Sequence, residues 1–192
     1  MKKINNIIII LSLVIELIYF IMNPIITVDN ILLLLSYIPV IFIPRIFNYI
    51  FKKSKIKITD DIEFAYLIFL ILAFLFGSIM GGYSKIYWYD SFTHLLSGVF
   101  TAFMAPILLK WLNRYDKKDI VFNIIYIILI TLSVAVLWEC TEFTIDKILG
   151  TDTQKVLTTG VNDTMKDMIC ALVGSVLYSI YYLYSLSKKS NI

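Results

Sequence analysis

Six runs of about twenty mostly apolar residues follow one another along the chain, at roughly 4–22, 28–44, 63–82, 91–111, 120–140 and 164–186. A helix needs about 20 such residues to cross about 30 Å of hydrocarbon, and in lipid only a helix satisfies every backbone group within one segment. The runs therefore predict an all-α, polytopic membrane protein of about six transmembrane helices, forming one integral domain over 1–192. The longest connection, 141–163, is too short for a soluble domain. Composition agrees: 59% of residues are hydrophobic and only 16% charged, where soluble domains carry about a quarter charged. A water-soluble fold of 192 residues could not hide so much Ile, Leu, Phe and Tyr in one core.

The first run follows Lys2 and Lys3 like a signal peptide, but it carries Glu16 and lacks a small-x-small cleavage site, so it reads as a retained helix. Pro24 is expected in the turn after it, and Pro44 at the end of the second span. Basic residues set the orientation. With six spans, thirteen of the seventeen Lys and Arg residues fall on one face. These are Lys2, Lys3, Arg45, Lys52, Lys53, Lys55, Lys57, Lys110, Arg114, Lys117, Lys118, Lys188 and Lys189. Lys85, Lys147, Lys155 and Lys166 fall on the other. Both termini are thus expected in the cytoplasm of a cell whose cytoplasmic membrane holds the protein. The basic loop 51–57 reads as resting on anionic headgroups. The bilayer is the expected partner, with no nucleic acid, and oligomeric state stays open. Cys140 and Cys170 have no metal-motif spacing; they read as free thiols, although one bridge between them could form.

Ionisable side chains within spans are costly and need a reason. In the fourth span, offsets of three and four place Asp90, Thr93, His94, Ser97, Gly98 and Thr101 on one stripe. The fifth span ends in Leu137-Trp138-Glu139-Cys140-Thr141-Glu142, with Glu139 and Glu142 on a shared face. The sixth begins Asn162-Asp163-Thr164-Met165-Lys166-Asp167, and Asp163 and Asp167 are followed on their face by Cys170, Ala171 and Gly174. Small residues there, like the Gly77/Gly81 pair of the third span, let helices approach closely. The alternating topology puts all three acidic pairs at one depth on the outward face. Five carboxylates held together cannot all stay ionised without compensation. Retained protons, pairing with Lys166 and neighbouring basic residues, or a divalent cation would each supply it. Each pair also has a plainer reading: a helix-end ion pair for Asp90/His94, interfacial acids for Glu139/Glu142, and an N-cap for Asp163. Trp88, Trp138, Tyr83, Tyr87 and Tyr89 read as an interfacial belt. Glu16 and Asp29 could join the cluster or be satisfied elsewhere.

The three motifs, Tyr89-Asp90-x-x-x-His94-x-x-x-Gly98, Trp138-Glu139-x-x-Glu142 and Asp163-Thr164-x-x-Asp167-Met168 with Gly174, resemble the YjdF-like inner-membrane proteins over roughly the second half of the chain. That resemblance implies a multi-spanning helical membrane protein and no particular substrate. A looser likeness of layout exists to VanZ-like membrane proteins.

Three functions follow as expectations. The first is a metal-dependent hydrolase or transferase on a lipid or lipid-linked substrate, with Asp90, His94, Glu139, Glu142, Asp163 and Asp167 as ligands. Asp90, His94, Glu139 and Asp167 would be its catalytic set. An oxygen-and-nitrogen donor set of this kind suits Zn, Mn, Fe or Mg. The second is a cation- or proton-coupled transporter, although no inverted repeat is visible. The third is a non-catalytic protein in which the cluster clamps helices together.

Overall fold

The computed structural model describes residues 1–23, 28–53 and 56–190, and their side chains except at 28–30, 32, 189 and 190. Pro24, Lys55 and the side chains of Asp29 and Lys189 lie outside the described residues. The helices are α1 (Lys2–Met22), α2 (Val28–Ile41), α3 (Ile43–Ile50), α4 (Asp60–Leu70) with a π-helical continuation Ile71–Ile79, α5 (Gly82–Lys85), α6 (Tyr89–Trp111), α7 (Ile120–Leu149), α8 (Val156–Thr159) and α9 (Asn162–Ser190). No strand occurs among the described residues. Five helical stretches are long and apolar enough to cross a membrane, and the bent α2–α3 pair would make a sixth. The chain divides into two compact units, Met1–Tyr89 and Asp90–Ile192.

In the first unit, α1 buries Asn5, Ile9, Ser12 and Glu16, spaced by three and four so that they form one face. They meet a core containing Tyr37, Ile41, Leu67, Leu70, Leu75 and Ile79, while Ile7, Ile10, Leu17 and Ile21 point outward. One end of this bundle is tied by the Glu63 carboxylate. Its Oε1 accepts from Arg45 Nε at 2.5 Å and its Oε2 from Asn5 Nδ2 at 2.8 Å.

Pro44 is expected at the end of the second span, but α2 ends three residues before it, at Ile41. A break at Phe42 bends the helix by 49°, and α3 restarts with Pro44 in its first turn, where a missing N–H costs nothing. The orphan is the carbonyl of Val40, four residues back, and the Tyr66 hydroxyl donates to it at 2.7 Å. Gly77 and Gly81 likewise differ from the expected helix–helix contact. A Cβ on Gly77 would lie 2.6 Å from the Tyr83 ring, and Gly81 adopts φ +76° at the end of the π-helical stretch. Both serve a local turn of the chain.

In the second unit, α6 and α9 touch backbone to backbone. A Cβ on Gly98 would lie 2.1 Å from the carbonyl oxygen of Ala171, and one on Gly174 would lie 2.3 Å from that of Leu95. Opposite α9, α7 buries Asn123, Ile127, Thr131, Ala135 and Glu139, a ridge of four-residue steps. The matching ridge on α9 is Asp163, Asp167, Ala171, Ser175 and Ser179, all buried. Two i, i+4 ridges of small and medium side chains can interdigitate closely. At the far end Tyr115 and Tyr182 share a hydroxyl–hydroxyl hydrogen bond of 2.9 Å. Helix α7 runs on past the expected end of the fifth span until Gly150, at φ +70°, caps it.

Candidate functional site

The ridges carry the site. Asp90 and His94 lie eight and four residues before Gly98, and Asp167 lies four before Ala171, so the glycine-mediated crossing holds all three on facing sides of α6 and α9. His94 Nε2 is 3.5 Å from Asp90 Oδ1 and 3.7 Å from Asp167 Oδ2. Among the described residues, one ligand atom from each of these three comes within 4.8 Å of the others. The separations are long for hydrogen bonds. Metal–ligand bonds of about 2.1 Å at a tetrahedral angle would set neighbouring donors about 3.4 Å apart. The side chain of Asp167 is 5% exposed, and its Oδ1 is buried without a hydrogen-bond partner. A buried carboxylate oxygen in that condition needs a partner of some kind.

The other three expected ligands have partners of their own. Asp163 is bracketed by two lysines, Oδ1 at 3.0 Å from Lys166 Nζ and Oδ2 at 3.1 Å from Lys155 Nζ. Glu139 is buried; its Oε2 accepts from Gln154 Nε2 at 3.2 Å, while Oε1 has no partner. Glu142 is half-buried and accepts from Trp138 Nε1 at 2.8 Å, close enough for its charge to act on His94 and Glu139. The hydroxyls of Thr93 and Ser97 bond back to the carbonyls of Asp90 and His94 at 2.8 Å each, so they are committed to their own helix. Cys140 and Cys170 are both free thiols. Glu16 is buried within the first unit.

The periodicity of the spans gave no sign of Gln154 and Lys155, which come from the loop after α7. Asp146 folds that loop back. Its Oδ1 accepts from Thr151 Oγ1, Thr153 N and Thr153 Oγ1, each at 2.7 Å, and its Oδ2 accepts from Gln154 N at 3.1 Å. Lys155 then takes φ +53°, and its ammonium bonds Asp90 Oδ2 as well as Asp163. Burial pulls this ammonium toward neutrality, but its bonds and charge interactions with Asp90 and Asp163 outweigh that and hold its pKa above the ordinary lysine range. A local signal existed in Asp146-Lys-Ile-Leu-Gly150, an acid just before a glycine helix stop. It says that a turn follows, without saying where the turn's side chains go.

No solved structure matches this chain. A protein of Thermotoga maritima, described only as uncharacterized, is 37% identical over 100 residues, which are 51% of this chain and 49% of that protein. This chain thus aligns with about half the length of the curated relative. A family of wider reach, described as "Predicted membrane protein (DUF2238)", is matched over residues 5–188. With its apolar helices and nearly its whole length inside that match, the chain belongs to the DUF2238 family of membrane proteins.

Proposed function

We propose that this multi-pass protein of the cytoplasmic membrane, YjdF-like in its three motifs, holds one divalent cation on Asp90, His94 and Asp167. We propose further that it uses the cation as a hydrolase or transferase on a lipid or lipid-linked substrate. The observation that carries the reading is the placement of His94 Nε2, 3.5 and 3.7 Å from two carboxylates, one of them almost wholly buried with a free oxygen. A cation held there would polarise a phosphoryl or acyl oxygen, or lower the pKa of a water near neutral pH. Glu139, with Oε2 held by Gln154 and Oε1 unpartnered, is the candidate general base. Zn, Mn, Fe and Mg all accept such a donor set.

One feature supports a structural clamp instead: Lys155 and Lys166 already neutralise part of the acidic group. Elemental mass spectrometry of detergent-purified protein, dialysed against each metal in turn, separates the two. Near one equivalent is expected in the parent, with at least tenfold weaker binding in His94→Ala and Asp167→Ala that keep their helicity. Turnover of phosphorylated lipids would then be screened. A parent without metal after every reconstitution would sink the metal enzyme and leave the ion-paired clamp.

A further inference from the structure

Asp90 has two faces. Its Oδ1 looks toward His94, which in turn faces Asp167, and its Oδ2 bonds the ammonium of Lys155. The same ammonium lies 3.1 Å from Asp163 Oδ2. A carboxylate shared between two cation positions, with a further carboxylate on the second, is the arrangement of two-metal sites, whose ions sit about 3.5–4 Å apart. Here the second position is taken by a side chain of the protein itself. Asp90 and Asp163 are largely buried, with side chains 15% and 7% exposed, whereas Lys155 enters from the loop side at 37%.

A tethered cation has an advantage over a free one. The Asp146-stapled loop delivers Lys155 to this place, so its ammonium competes as an intramolecular ligand at high effective concentration. Lys166 does not duplicate it, because its 3.0 Å contact is with the other oxygen of Asp163.

Resting on the metal reading above, we propose that the Lys155 ammonium is a built-in substitute for a second divalent cation and restricts this site to a single metal ion. The chemistry is then one-metal chemistry, with the second positive charge fixed covalently to the chain and independent of metal supply.

The test is the stoichiometry of Mn2+ binding to the full chain in detergent, by equilibrium dialysis with electron paramagnetic resonance on the bound ion. The parent is expected to bind one equivalent and Lys155→Met two, the pair of ions showing spin coupling. Lys155→Gln, which keeps a donor for Asp163 without the charge, gives the same two. Lys155→Arg stays at one, and Lys155→Met combined with Asp163→Asn returns to one. One equivalent in both Lys155→Met and Lys155→Gln, with helicity intact, overturns the inference and leaves the metal reading standing. A second equivalent that persists without Asp163 overturns the placement. A parent that binds no Mn2+ overturns the metal reading and this inference together.

Discussion

At Gly98 the space a side chain would need is already filled by the backbone of Ala171, and at Gly174 by that of Leu95. These glycines set the distance between α6 and α9, and so the distance between His94 and Asp167. Gly150 is a useful contrast: nothing lies within 4 Å of an added Cβ, and only its φ of +70° resists substitution. Gly150→Ala should therefore cost about 1–2 kcal/mol, the left-handed penalty alone. Gly98→Ala forces two backbones apart, and overpacking of that kind costs about 1–3 kcal/mol or more. Thermal unfolding in detergent should rank Gly98→Ala as the more damaging, and Gly98→Ala alone should also weaken metal binding. Equal losses would mean that the helices can slide apart freely. The two stripes were legible in the sequence, because Asp90, His94 and Gly98 repeat at four residues and Asp167, Ala171 and Gly174 at four and three; that these two helices pack on each other there was not. What spacing could not show is which acid goes where. Asp163 and Asp167 share a face, yet one turns to lysines and the other to histidine. Helical periodicity fixes which residues share a face, and hydrogen-bond partners decide the rest.

The element that positions the lysine is the loop after α7. The apolar periodicity fades after Cys140, so the sequence reads as an ending span, but α7 continues to Leu149 because nothing before Gly150 stops it. The extra turns carry Asp146 to where its two oxygens can gather Thr151, Thr153 and Gln154. Removing that carboxylate leaves the helices intact and frees the loop. With Lys155 released, Asp146→Ala should bind a second equivalent of Mn2+, as Lys155→Met does, with unchanged far-UV circular dichroism. It should also make the 150–155 segment sensitive to protease. Asp146→Asn keeps one acceptor oxygen and should fall between. A stoichiometry that stays at one in Asp146→Ala would mean that Lys155 and Gln154 hold the loop by themselves. The elbow between α2 and α3 was equally hidden: a proline marks a helix end and a helix start alike. Only Tyr66, donating to the Val40 carbonyl, tells that this elbow is a built feature.

For the whole molecule, the elbow decides topology. If α2 and α3 together cross the membrane, there are six spans and both termini share a face. If the pair turns back, there are five and the termini part. The charge pattern favours the first: six spans collect thirteen of seventeen basic residues on one side, the side that the positive-inside rule expects in the cytoplasm. Single cysteines in a chain lacking Cys140 and Cys170 would report this on intact cells through a membrane-impermeant maleimide. Lys147→Cys should label from outside, while Lys3→Cys, Lys118→Cys and Lys188→Cys should label only after permeabilisation. Lys3→Cys and Lys188→Cys on opposite faces would show that the elbow is re-entrant. Lys147→Cys protected on intact cells would turn Asp90, His94 and Asp167 toward the cytoplasm. Any lipid substrate would then have to be sought in the inner leaflet, because the site sits at the same end of the second unit as Lys147.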